Sequence, residues 1–227
     1  MLKFFPLLLA IGYGVIIYRL SAWRLGRELD EKSTELADAK LRALTAEMAK
    51  VVDIPHIRVH IYEVEPVNGL AAPDGRIFIT RGFFSKYRNG EVTAEELASV
   101  IAHELGHVAL GHSRRRMIDF SGQNALRTAL AMVLNRVIPG IGPLIANAAM
   151  SLLMARLSRS DEYEADAYAS ALLIKAGIGT APQKSLFEKL QTLTGANGAA
   201  HPAWLLSHPK TNERLAAIEA NEAKWGV

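Results

Sequence analysis

The sequence predicts a mainly α fold with a small β-sheet, an α+β domain preceded by a hydrophobic N-terminal helix. Three observations carry this. Apolar residues recur at helical spacing over most of the chain; two short runs, 57–64 and 76–80, have the character of strands; and residues 4–18 are almost unbrokenly apolar. At 227 residues, half of them hydrophobic, the chain can bury one substantial core. We divide it into an N-terminal membrane anchor or signal segment, residues 1–23, and one globular domain, residues 24–227.

The N-terminal run of roughly 15 residues would make a helix of about 22 Å against a hydrocarbon layer of about 30 Å. Leu20 to Trp23 extend it if Arg19 snorkels and Trp23 sits at the interface. The stretch Leu20-Ser21-Ala22 has a bulky residue where a signal-peptide cleavage site needs a small one, which favours an uncleaved anchor. Arg19, Arg24 and Arg27 outnumber Lys3 and favour a cytoplasmic domain, whereas signal-peptide insertion gives the opposite side, so both sides stay open.

From Arg24 to about Val52, Leu29, Leu36, Leu41, Leu44 and Met48 mark an amphipathic helix ended by Asp53-Ile54-Pro55. Ile57, Val59, Ile61 and Val64 then alternate with Arg58, His60 and Glu63, and a second strand runs from Arg76 to Thr80. Pro73-Asp74-Gly75 between them is a turn. Thr93 and Glu96 have capping-box spacing and open a helix bearing Leu97, Val100 and Ile101. Residues 125–157 are apolar and broken by Pro139-Gly140-Ile141-Gly142-Pro143. They read as a helical hairpin whose second arm, about a dozen residues, is either buried or membrane-dipping. Helix continues to Lys175, another lies around Lys184 to Leu193, a Gly-Ala-Asn-Gly loop follows, and a last helix starts near Thr211.

A net charge of +3 from 26 basic and 23 acidic residues, evenly spread, predicts no nucleic-acid partner. The absence of cysteine excludes disulfides, thiolate metal sites and cysteine nucleophiles, so a metal would need histidine and carboxylate ligands.

Such ligands stand in His103-Glu104-Leu105-Gly106-His107. Histidines four apart project from one helix face and can share a single zinc ion, Zn2+, while Glu104 beside them can take a proton from a water held by that ion. This is the chemistry of amide hydrolysis. A third histidine at position 113 would complete another zinc pattern, but Ser113 stands there and His112 falls one residue short, so His112 reads as a surface histidine or one supporting a ligand. The better third ligand is Glu162, which shares a helix face with Asp166 four residues on. Asp166 can then accept a hydrogen bond from a ligand histidine.

The segment from Val92 to His107 resembles the catalytic helix of the HtpX and CAAX prenyl protease type metallopeptidases, and Ser158-Arg159 with Glu162 and Ala165-Asp166 resembles that family's second motif. Val67 to Gly82 is similar to its active-site edge hairpin, with Gly69-Leu70 where the family often has Ala-Phe. Ser207-His208-Pro209 with Arg214 is similar to its C-terminal motif. The resemblance implies a gluzincin-like fold whose edge strand pairs with an extended peptide, with Asn68 along that cleft as a substrate-binding residue. It also implies a catalytic role for His208 near the metal, hydrogen-bonded to the oxyanion or bound to zinc at rest, with Arg214 supporting its loop.

With at most one anchor and one broken hairpin, the chain resembles the shorter members: single-anchor, inner-membrane-associated or periplasmic proteases acting on misfolded membrane or envelope proteins. Protein or peptide substrates are therefore expected; oligomeric state is not read from the sequence. Two rivals stand beside this reading. One is a non-catalytic, zinc-stabilised peptide-binding chaperone or scaffold at the membrane, which would not need Glu104. The other is a zinc hydrolase of small amides or esters.

Overall fold

The structure, a computed structural model, describes residues 5–112, 131, 134–136, 138, 140–192, 208 and 211–225. Its first helix, α1 (Phe5–Glu31), passes without a break from the apolar N-terminal run into the charged segment. The single amphipathic helix expected from Arg24 to Val52 is corrected here. The chain leaves α1 into a short strand, β1 (Ser33–Glu35), and re-enters helix at α2 (Ala39–Val51), capped by the Asp38 carboxylate on the Lys40 and Leu41 amides. Leu29 and Leu36, which share a helical stripe in the sequence, therefore serve different cores.

Strand β1 pairs antiparallel with β2 (Val59–Tyr62), and β2 pairs parallel with β4 (Ile77–Thr80) in the register Val59 to Ile77. A three-residue strand, β3 (Gly69–Ala71), pairs antiparallel with β4 and forms one edge of a sheet ordered β1-β2-β4-β3. The turn at Pro73-Asp74-Gly75 thus closes the β3–β4 hairpin, with Gly75 at φ 85°. Alternation sends Val59, Ile61, Ile77 and Ile79 into the main core, while Phe78 packs on the other face with Leu29 and Ala72. Tyr62 donates to Glu28 at 3.0 Å and Arg76 reaches Asp30 at 2.5 Å, so the end of α1 is fixed to the sheet.

An unanticipated helix, α3 (Arg81–Arg88), begins at once because Thr80 both ends β4 and caps the helix through its hydroxyl on the Phe83 amide. Helix α4 (Ala94–Ala109) has the Thr93–Glu96 capping box its sequence predicts. It is the hub of the fold, packing against α2, β3, β4 and two later helices, α5 (Gly142–Lys175) and α6 (Ala181–Thr192). Helix α7 (Thr211–Trp225) closes over α5 and α6.

The expected hairpin is also revised. Its first arm falls largely outside the described residues, as does the Gly-Ala-Asn-Gly loop. Its second arm is no short helix but the start of the 34-residue α5, because Pro143 sits in the first turn, where its missing N–H costs nothing. The early part of α5 is apolar and open to solvent at Leu144 and Ile145. Among the described residues no helix is long and apolar enough to cross a membrane.

Candidate metal centre

The buried face of α4 carries His103, Glu104 and His107, and α5 supplies Glu162 and Asp166 to the same place. Gly106 explains how the two helices come so close. A Cβ there would stand 3.0 Å from the Ala165 carbonyl oxygen and 3.1 Å from the Ala165 Cα, so glycine between the histidines lets the α5 backbone approach.

His103 Nε2 and His107 Nε2 lie 3.1 Å apart and face the carboxylate of Glu162, each at 3.4 Å. His208 joins them, with Nδ1 2.5 Å from Glu162 Oε2 and 3.4 Å from His103 Nε2. One ligand atom from each of His103, His107, Glu162 and His208 falls within 4.8 Å of all the others, and all four residues are buried. The donor set of imidazoles and one carboxylate suits a zinc ion. A further observation fits a group held here. Glu104 Oε1 is buried with no hydrogen-bond partner among the described residues, His208 Nε2 at 3.5 Å being too poorly placed to serve.

Around this cluster runs a charged support. Asp166 Oδ1 lies 2.9 Å from His103 Nδ1, and Arg214 of α7 grips Asp166 from behind, Nε to Oδ2 at 2.6 Å and Nη2 to Oδ1 at 2.7 Å. Arg214 also donates to the His208 carbonyl at 3.2 Å and lies over the Phe187 ring. Burial opposes the charge of His103, but the carboxylates of Asp166 and Glu162 outweigh it and raise its pKa to about 9. Burial likewise opposes ionisation of Glu162 and Asp166, yet His103 and His208 beside the first, and Arg214 and His103 beside the second, hold both below the ordinary carboxylate range.

The structure therefore brings together His103, Glu104, His107, Glu162, Asp166, His208 and Arg214. Asn68 is set apart, at the head of β3. Its backbone is clasped by Thr80, which donates to its carbonyl and accepts from its amide, both at 3.0 Å. Its neighbour Gly69 carries the edge strand against α4, where a Cβ would meet Val100 Cγ1 at 3.0 Å and Glu104 Oε1 at 3.3 Å. Of the two sequence readings of His112, the surface one is overturned and the geometry matches the one that sets it beside a ligand histidine. His112 is fully buried, with Nδ1 3.0 Å from His107 Nδ1. Its pattern in the sequence had only a near-miss to a ligand position, and the signal for its real place is Gly111 just before it.

A helix presenting two histidines and a glutamate, met by a glutamate from a second helix and flanked by a sheet edge, defines a metal-dependent endopeptidase. The chain belongs to Peptidase family M48, whose family model matches residues 35–222. It is 29% identical over 207 residues to the metalloprotease LoiP of Escherichia coli, covering 88% of this chain and 79% of that one. It is 26% identical over 237 residues to the protease HtpX of Nitrosococcus oceani, covering 90% and 79%. Over 155 residues it is 29% identical to a putative beta-barrel assembly-enhancing protease of Vibrio cholerae, covering 66% of this chain and 31% of that protein.

Proposed function

We propose that His103, His107 and Glu162 hold one zinc ion, that Glu104 is the general base, and that the substrates are misfolded membrane or envelope proteins. The observation that carries the site reading is the convergence of the His103 and His107 Nε2 atoms on the Glu162 carboxylate, beside the buried Glu104 Oε1, which has no hydrogen-bond partner among the described residues. A bound zinc ion supplies Lewis acidity, polarising a carbonyl and making water a nucleophile near neutral pH.

The residues of the chain do the rest. Glu104, dry and aimed into the cluster, takes the proton from the attacking water and returns it to the leaving amine. Asp166 fixes the ring of His103 and directs Nε2 inward, and Arg214 holds Asp166. His208 donates to the developing oxyanion in turnover and falls back beside Glu162 at rest. An extended peptide adds to the outer edge of β3, with Asn68 along its path. Only an unfolded segment can offer such a backbone, which supports misfolded proteins as the substrate class. The name of the Vibrio cholerae relative, a beta-barrel assembly-enhancing protease, supports an envelope setting.

In the same reading, residues 1–23 tether a catalytic domain of residues 24–227 to the inner membrane as a single anchor. The apolar N-terminal run supports this.

The test is metal content alongside casein cleavage for the parent chain, Glu104→Gln and His208→Ala. We expect one zinc per chain in the parent and in Glu104→Gln, with cleavage lost only in the latter. Cleavage by Glu104→Gln at the parent rate would sink the general-base assignment. His208→Ala is expected to keep zinc and lose most turnover.

A further inference from the structure

We propose that His112 is a positioning residue for His107, the middle member of a relay that connects the His107 ring to the carboxylate of Glu164. The inference rests on the reading that His107 holds the metal, and it assigns a proton to every nitrogen of the two rings.

Five contacts lead to it. His107 Nε2 faces His103 Nε2 at 3.1 Å and Glu162 Oε1 at 3.4 Å, so this is the nitrogen turned towards the other ligand atoms. On its far side His107 Nδ1 lies 3.0 Å from His112 Nδ1. The second nitrogen of His112, Nε2, lies 3.3 Å from Glu164 Oε2 and 3.7 Å from Asp161 Oδ1. His112 is fully buried, so its ring is held by these partners and not by bulk water.

A nitrogen–nitrogen hydrogen bond needs one proton between two neutral rings. If His107 offers the Nε2 lone pair to a metal, its proton is on Nδ1 and is donated to His112. His112 Nδ1 must then be the bare acceptor, which leaves the His112 proton on Nε2, where a carboxylate waits to accept it. The chain of donors runs in one direction, from His107 through His112 to Glu164, and no nitrogen is left without a role. Reversing it would place a proton on the His107 nitrogen that faces His103 and Glu162.

The backbone is shaped for this contact. Helix α4 ends at Ala109, and Gly111 takes a φ of +72° that a side-chain-bearing residue rarely adopts, turning the chain so that His112 folds back under His107. The two histidines of α4 are thereby supported differently. His103 meets Asp166 directly, inside the protein. His107 reaches its carboxylate through a second imidazole, and the relay ends on Glu164, whose side chain is 52% exposed.

Partners of this kind orient a ligand ring and strengthen its lone pair, and their loss weakens metal binding by about 10- to 100-fold. The experiment is zinc affinity by chelator competition on the full chain, for the parent, His112→Phe and His112→Asn, with long-range ¹H–¹⁵N spectra of the zinc-loaded parent. We expect His112→Phe to bind about 10- to 100-fold more weakly. His112→Asn, whose amide oxygen can accept from His107 Nδ1, should recover most of that loss, which a merely space-filling role would not allow. The spectra should show His112 protonated at Nε2 and His107 at Nδ1. Parent-like affinity in His112→Phe, or a His112 proton on Nδ1, would overturn the relay while leaving the metal centre standing. Should His112→Phe not fold, the tautomer of His112 in the parent decides alone. A parent that binds no zinc would overturn the metal reading and the relay with it.

Discussion

Ser185 of α6 donates a 2.6 Å hydrogen bond to Oε1 of Glu96, in the first turn of α4. The other oxygen of Glu96 accepts from the Thr93 amide at 2.8 Å and from Lys189 at 2.9 Å, so one carboxylate caps α4 and ties it to α6. Burial opposes its charge, but Ser185, the Thr93 amide and Lys189 outweigh burial and hold its pKa below the ordinary glutamate value. A lowered folded pKa means stability that is present above the unfolded value and lost as pH falls through the folded one. We predict that Glu96→Gln lowers stability by about 1–2 kcal/mol at pH 7, the Lys189 share being screened by its partial exposure. The gap between parent and variant should narrow in urea unfolding as pH falls below about 4.5. A gap unchanged with pH would contradict it.

Asp166 is shared by a buried histidine and a buried arginine. Asp166→Asn should strip Arg214 of its nearest counter-charge, leaving the Glu162 carboxylate at 3.5 Å, and cost about 3–5 kcal/mol. It should also weaken zinc binding by about 10- to 100-fold, since His103 loses the group that orients it. Thermal unfolding of the metal-free protein and chelator competition read the two effects separately, and parent-like values in both would exclude the role.

At the β3 edge, Gly69→Ala puts a methyl group against Val100 and Glu104. Val100 can give by a few tenths of an ångström, so the fold should survive. The displaced Glu104 and β3 backbone should cost turnover roughly 10-fold or more. A full casein rate in a well-folded Gly69→Ala protein would show that this edge is not close to the reacting groups.

Glycines elsewhere should sort by what surrounds them. A Cβ at Gly82 would overlap the backbone carbonyl of Glu65, so Gly82→Ala should fail to fold or lose most of its stability. Gly90 has open space but a φ of 78°, and Gly90→Ala should cost only about 1–2 kcal/mol. Comparable melting temperatures for the two variants would refute this ranking.

Much of the α4 and α5 chemistry is legible in the sequence because helical spacing alone aligns His103 with His107 and Glu162 with Asp166. The capping box likewise needs only Thr93 and Glu96 three residues apart. Other parts depend on contacts with no local signature. Strand β1 is Ser-Thr-Glu, with no apolar alternation, and exists because Tyr62, Ile61 and His60 offer it a ladder. Helix α3 is hidden because Thr80 belongs to two elements at once. The 34-residue α5 is obscured by Pro143, a breaker in most positions and harmless in a first turn. The meeting of Arg214 with Asp166, across 48 residues, is a product of tertiary packing, and family resemblance supplies only a hint of it; that of His112 with His107, five residues apart, is set by the turn at Gly111.

That separation along the chain has a consequence for timing. Residues 103–107, 162–166 and 208–214 must all be present before the cluster closes, and the last of them arrives with α7, which anchors Asp166 through Arg214. During synthesis, α4 and α5 emerge from the ribosome well before α7 can dock. A peptidase meets its own growing chain as its earliest neighbour. Because the arginine clamp belongs to α7, the support of Asp166 and His103 is completed only after α4 and α5 have already emerged.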